Sequence, residues 1–151
     1  MVPRIFFFYG TLLPGLTGVH ANFIEPFVMD RRLAHAKGRI FAISDERGTY
    51  PALLSDAADS YSVHGEIYSL SEDFGTDQLA RLDRYEEYFV NDERRSEYIR
   101  KPLPCSLGDG ANIIAEAYVY NWDLPSDATP IPSGDFAEYL RITGLRPYTQ
   151  Q

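Results

Sequence analysis

The residues of this chain whose types could do chemistry are few and well separated. Near the start, Tyr9-Gly10-Thr11-Leu12-Leu13-Pro14-Gly15 is a loop bounded by glycines that directly follows an apolar run. A strand feeding such a loop can present backbone N–H groups to an anion. A nucleotide phosphate is a poor candidate for that anion. Gly10 and Gly15 have the P-loop separation, but Leu16 and Thr17 stand where Lys and Ser or Thr are needed, and Pro14 removes a donor. A carboxylate remains possible, and so does a plain tight turn. Cys105 has no His near it in sequence, and its neighbours Pro104 and Ser106 match no cysteine-enzyme signature, so packing is its expected role. His20, His35 and His64 lack metal-ligand spacing. The Ser-containing stretches at Gly75 and Gly134 make no nucleophile elbow. Glu86, taken in isolation, reads as a solvated carboxylate at a helix end.

The elements that must position these residues follow from periodicity. Arg4 to Tyr9 is a continuous apolar and aromatic run, the pattern of a strand covered on both faces. His20 to Phe27 fits a short helix interrupted by Pro26. Arg32 to Ile43 reads as one long strand or two broken by Gly38, and Tyr50 to Leu54 as a short extended piece. Tyr61 to Leu70 alternates as a strand, with Gly65 marking a bulge or a close approach. Ser71-Glu72-Asp73 offers capping residues for an amphipathic helix over Thr76 to Tyr85, where Leu79 and Leu82 share a face. Glu97 to Cys105 and Ile113 to Trp122 are two further strands around a turn at Gly108-Asp109-Gly110. Pro125, Pro130, Pro132 and Gly134 make an irregular stretch, and Phe136 to Ile142 fits a closing helix.

A chain of 151 residues has room for one domain over 1–151. The 11 Tyr and 9 Phe favour strands. Several strands with a few short helices predict an α+β fold whose sheet curls into a small mixed β-barrel. The formal net charge of −8 disfavours a nucleic-acid partner and an anionic membrane surface, because no Lys/Arg cluster is large enough to make a basic face. A lone cysteine cannot form an internal disulfide, and no apolar run approaches the roughly 20 residues needed to span a bilayer. A cytoplasmic monomer or homodimer is expected.

Read in order, the motifs carry a resemblance. Phe8-Tyr9-Gly10-Thr11-Leu12-Leu13-Pro14-Gly15 resembles the opening of the γ-glutamylcyclotransferase-like family, which includes γ-glutamylamine cyclotransferases and avirulence-induced-gene-like proteins. Gly38-Arg39-Ile40-Phe41, Tyr50-Pro51-Ala52-Leu53 and Val63-His64-Gly65-Glu66-Ile67-Tyr68 follow in the family's order. Leu82-Asp83-Arg84-Tyr85-Glu86 is similar to its acidic signature, and Tyr98-Ile99-Arg100 to its Tyr-x-Arg. Ala117-Tyr118-Val119-Tyr120 and Ser133-Gly134-Asp135-Phe136 resemble its closing elements. One position departs: Glu87 stands where catalytic members often have Gly.

The resemblance implies the family's barrel and the cyclisation of a γ-glutamyl amine or amino-acid conjugate to 5-oxoproline, without a cofactor or metal. It assigns Glu86 as acid/base, which requires a cavity that raises its pKa toward ~6–7. It also assigns the Gly10, Thr11 and Leu12 N–H groups to the substrate's carboxylate or oxyanion. Tyr9 belongs to the same loop, Tyr98 is expected to bond the substrate or Glu86, and Tyr120 to wall the pocket. Asp83 is expected to anchor the helix end. Segments 42–51 and 123–134 are expected to border the pocket. The competing expectation is a non-catalytic module that binds a small carboxylate or amine in the same cavity.

Overall fold

The computed structural model of the protein describes residues 4–10, 19–55 and 61–148, so Thr11 and Leu12 lie outside the described residues. Among these the chain runs β1 (Ile5–Phe8), a 3-10 segment (Val19–Phe27), β2 (Val28–Lys37), β3 (Arg39–Asp45), β4 (Gly48–Leu54) and β5 (Ser62–Leu70). It continues with α1 (Thr76–Tyr85), a 3-10 turn (Glu93–Arg95), β6 (Tyr98–Leu107), β7 (Asn112–Tyr120), β8 (Thr129–Pro130) and α2 (Phe136–Thr143). No helix among the described residues is long and apolar enough to cross a membrane.

Strands β1-β5-β2-β6-β7 close into a barrel. Its pairings are antiparallel except at the seam, where β1 runs parallel to β7 and Phe6 faces Glu116. The α+β mixed barrel read from the sequence is thus the observed fold. All five strands send alternate residues into one apolar cluster, including Phe7, Ala34, Val63, Leu103 and Ala117, which fills the barrel as small barrels require. The other face of β1, Phe6 and Phe8, joins Tyr68, Leu82, Tyr85 and Tyr118 in a second cluster against α1. Both faces of β1 are therefore covered, which is why its apolar run is unbroken.

Gly38 does split the stretch around it, but β2 begins upstream of the expected start because Val28 already pairs with Leu70 of β5. β3 leaves the barrel and forms a separate sheet in the order β4-β3-β8. The proline-rich stretch expected to be irregular contributes β8 to that sheet. It is a two-residue edge strand, where Pro130 can sit because it owes no ladder hydrogen bond outward. Ser71-Glu72-Asp73 does not cap α1. Phe74 is buried edge-on against Phe6 and Phe27, and the helix starts only after it, with the Gly75 N–H donating to Gln78 Oε1 at 2.8 Å.

Gly65 is a close approach. A Cβ built there would stand 2.3 Å from the Phe8 carbonyl oxygen and 2.9 Å from the Phe7 ring. The neighbour is β1 itself, which is held from both sides and cannot yield cheaply. Gly65→Ala is expected to lower stability by about 2 kcal/mol or more. Gly108→Ala, where a Cβ would meet nothing within 4 Å, should stay within about 0.5 kcal/mol. Urea denaturation of the two variants checks the pair.

Candidate active site

The C-terminal turn of α1 is built by a backbone device and a charge pair. Tyr88 N–H donates to the Asp83 carbonyl at 2.8 Å and Glu87 N–H to the Arg84 carbonyl at 3.1 Å, the Schellman pattern that closes a helix. That pattern needs a left-handed residue just past the cap, and Glu87 occupies it with φ of 56°. Glycine would adopt this φ > 0 without a Cβ clash, so Glu87 holds the position at some backbone cost. Below the turn, Asp83 is only 6% exposed. Tyr118 Oη donates to Asp83 Oδ1 at 2.6 Å, and Arg100 Nε donates to the same oxygen at 3.1 Å. Arg100 also donates to Glu116 at 2.7 Å, and Glu116 accepts from Arg4 at 2.8 Å. The helix end is thereby fastened to β6, β7 and the start of β1.

This places Glu86 and Glu87 on the wall of a cavity. It is completed by Phe7, Phe8, Tyr9 and Gly10 from the end of β1, Tyr50 and Pro51 from β4, Tyr85 from α1, Glu97 and Tyr98 at the start of β6, Tyr118 from β7, and Tyr148. Glu86 keeps some exposure through the cavity. Its carboxyl is pushed up to about 8, first by burial and then by the negative charges of Glu97 and Asp83. Glu97 is itself only 5% exposed and accepts a hydrogen bond from Tyr50 Oη at 2.9 Å. Burial raises Glu97 too, opposed by the Tyr50 hydrogen bond and by the Arg47 charge. A carboxylate this close to a second and a third is in the setting where acid/base groups acquire pKa values useful near neutrality.

The residues read from the sequence are not all brought together. Glu86 lines the cavity with Tyr9, Gly10 and Tyr98. Tyr98 does not hydrogen-bond Glu86, because its hydroxyl is spent on the Pro51 carbonyl at 2.5 Å. Tyr9 likewise donates to the Tyr118 carbonyl. Tyr120 is not a cavity wall: it packs edge-on to Tyr98, with ring centroids 5.4 Å apart, and backs that ring. Of the two segments expected to border the pocket, 42–51 supplies Tyr50 and Pro51. Segment 123–134 supplies no wall, since it is held against β3 as β8. Cys105 is buried and its thiol is pushed up to about 12, in keeping with packing.

Several cavity residues escaped the sequence reading, the rings of Phe7, Phe8, Tyr85 and Tyr118 among them, and two come from unexpected places. Glu97, read as the first residue of a strand, sits one residue before β6, and nothing in its local pattern turns it toward a cavity. Tyr148 arrives by a parallel bridge between Thr49 and Pro147, with Tyr148 N–H donating to the Thr49 carbonyl at 2.8 Å. Its ring then packs edge-on to Tyr50 at 5.6 Å and Tyr85 at 6.3 Å.

The fold recurs in solved structures. YkqA from Bacillus subtilis superposes with a TM-score of 0.66 at 22% identity, covering 95% of this chain, which spans 43% of the length of that protein. An AIG2-like protein from Mus musculus gives 0.60 at 21% identity, covering 83% of this chain and 82% of the other. A γ-glutamyl cyclotransferase gives 0.59 at 14% identity, covering 86% of this chain and 72% of the other. No curated protein matches the chain. Residues 6–138, which run from the barrel seam to the start of α2 and include the Glu86 turn, match the family described as gamma-glutamyl cyclotransferase, AIG2-like, and the chain belongs to that family.

Proposed function

We propose that this protein cyclises the γ-glutamyl part of a γ-glutamyl amine or amino-acid conjugate to 5-oxoproline, with Glu86 as the acid/base. The observation that carries this reading is a carboxyl pushed up to about 8 inside an aromatic cavity at the open end of β1. A base raised by burial takes the proton of an ammonium, which is a weaker acid than a carboxyl, with a smaller mismatch than a solvated Glu would. Ionised Glu86 takes a proton from the substrate's α-ammonium. The freed amine attacks the γ-carbonyl carbon and forms the five-membered ring. Glu86 then returns that proton to the departing nitrogen as the carbon–nitrogen bond breaks, and the second proton of the ring nitrogen follows by the same carboxylate to the released amine, which leaves as an ammonium; the carboxylate is regenerated and no external reactant is needed.

The remaining requirements fall on the backbone and the rings. The loop that starts at Gly10 would supply N–H groups to the substrate's carboxylate or to the developing oxyanion, a contribution of roughly 3–4 kcal/mol per donor in other enzymes. The assignments to Thr11 and Leu12 rest on sequence. Tyr9 and Tyr98, with their hydroxyls committed to backbone carbonyls, act as fixed walls that hold the substrate folded for intramolecular attack.

Two outcomes test the reading. Glu86→Gln should lower the rate of 5-oxoproline release from γ-glutamyl amines by about 10²–10⁴-fold. Wild-type turnover that survives in this variant removes Glu86 from the mechanism, and binding without turnover in the wild type favours the non-catalytic module. For the wild type, kcat/KM should climb about tenfold per pH unit up to about 8 and turn down again where the free substrate's α-ammonium loses its proton. A break near 4–5 instead would mark a solvated carboxylate.

The same shift has a stability consequence of opposite sign. The folded state holds the Glu86 proton more tightly than the unfolded state, whose value is 4.5, so its contribution is full below 4.5 and is lost as pH rises through about 8. Across that window Glu86→Gln should lose less stability than the wild type, by on the order of 2–3 kcal/mol after allowance for its partial exposure. Thermal melts on either side of the window measure it.

A further inference from the structure

Tyr148 reaches the cavity wall from outside the barrel, on a strap that follows α2. Gly144, with φ of 71°, ends α2 and turns the chain. From Gly144 to Arg146 the strap is exposed, and Tyr148 is the side chain it buries. The hydrogen bonds that hold the strap across the fold come from the turn between β3 and β4. Thr49 N–H donates to the Arg146 carbonyl at 2.7 Å, and Tyr148 N–H donates to the Thr49 carbonyl at 2.8 Å. Arg146 Nη2 donates to the Glu46 carbonyl at 2.9 Å. Gly48 lets the strap lie close, since a Cβ there would stand 2.5 Å from the Pro147 carbonyl oxygen. Arg47, which does not line the cavity, is held by Asp45 at 2.8 Å and backs the Tyr148 ring at 5.0 Å.

We propose that Tyr148 is a specificity-determining residue whose ring closes the compartment for the departing amine and limits that amine's bulk. This rests on the reading of the cavity as the cyclisation site. The glutamyl part folds into the ring, with its carboxylate assigned to the loop at Gly10 and its reacting carbon to Glu86. The departing group is then the one part of the substrate free to extend away from the end of β1. Tyr148 stands on that far side. Its ring pairs with Tyr50 of β4 and Tyr85 of α1, and among the described residues not with Phe7, Phe8 or Tyr9. Tyr9, Tyr50, Tyr98 and Tyr118 are pinned by hydroxyls on fixed acceptors, whereas the Tyr148 hydroxyl has no such acceptor among the described residues. The strap is anchored on the β4-β3-β8 sheet and not on the barrel. Its ring can therefore change size without moving the strands and the Asp83 pairing that hold Glu86, and a connecting segment on a fixed scaffold is where selectivity is readily varied.

The test compares γ-glutamyl ethylamide with γ-glutamyl naphthylmethylamide. Tyr148→Ala should raise the kcat/KM ratio of the bulky substrate over the small one by about tenfold or more, and Tyr148→Trp should lower it. Tyr148→Phe keeps the ring and should hold the ratio within about twofold of the wild-type value. Gly48→Ala crowds the Pro147 carbonyl without touching the cavity lining, and it should raise the ratio by displacing the strap. Any effect of these changes on Glu86 acts on both substrates and cancels in the ratio. A merely structural role would lower both rates together and leave the ratio where it was. Tyr148→Phe and Tyr148→Trp keep an aromatic ring in the cluster, so the comparison survives if thermal melts show Tyr148→Ala to be unstable. An unchanged ratio in Tyr148→Trp and in Tyr148→Ala would overturn the proposal, as would a shift of the same sign in both. If no γ-glutamyl compound yields 5-oxoproline, the cyclisation reading falls, and calorimetric binding of the same two compounds decides the wall by itself. Their affinity ratio should then shift in opposite directions in the Ala and Trp variants, and failure of both compounds to bind the wild type overturns the proposal.

Discussion

The buried carboxylate of Asp83 sits beneath the helix turn that carries Glu86, and the site depends on that charge being matched. An unpaired buried carboxylate is costly enough to unfold its surroundings or take up a proton. Here Tyr118 and Arg100 both donate to it, Arg100 also serves Glu116, and Glu116 serves Arg4. The ladder holds two cations and two anions and is neutral within itself. It can therefore pin the end of α1 to three barrel strands without lending positive charge to the cavity above it. Glu86 accordingly feels Asp83 as a net negative neighbour, and its pKa moves up where a free arginine would have moved it down.

The tyrosines extend the same logic from charge to shape. Tyr9, Tyr50, Tyr98 and Tyr118 each direct their hydroxyl at a fixed acceptor: a backbone carbonyl for Tyr9 and Tyr98, a carboxylate for Tyr50 and Tyr118. What the cavity receives is ring surface held in place from behind. Such a wall takes much of the water from around Glu86, in keeping with burial as the largest cause of its shift, and it needs no rearrangement when charge moves during reaction. Tyr120 contributes one step further back, by bracing the ring of Tyr98.

How far the sequence revealed this arrangement depends on which physical signal each part carries. β1, β5 and α1 declare themselves by periodicity, since each buries a defined face against a neighbour. Glu86 was legible because the residues around it form a motif, and Gly65 because a glycine inside an alternating strand implies a close approach. Glu97 carries no such signal: it reads as the first residue of a strand, and its neighbours Glu87 and Tyr50 reach it only through the fold. Tyr148 depends on a chain-end bridge to Thr49, and the β8 pairing on a contact with β3 across most of the chain. Local pattern encodes elements and their buried faces, whereas contacts between distant segments follow from closure of the barrel. The wall formed by such contacts is the part that sequence alone leaves open.

The charges that raise Glu86 also hinder it as a base, because a carboxyl at about 8 is mostly protonated near neutrality. Desolvation supplies the largest part of that shift and the Glu97 charge the next. The α-ammonium of the proposed γ-glutamyl substrate would oppose the second contribution while leaving the first, and so would lower the Glu86 pKa toward the value at which it ionises. Binding linkage makes this reciprocal: whatever favours the ionised form of Glu86 must also tighten the cation. A chain of net charge −8 draws cations toward it over longer range, and the cavity concentrates the same sign at one point. The substrate's own ammonium would therefore prepare the base that takes its proton.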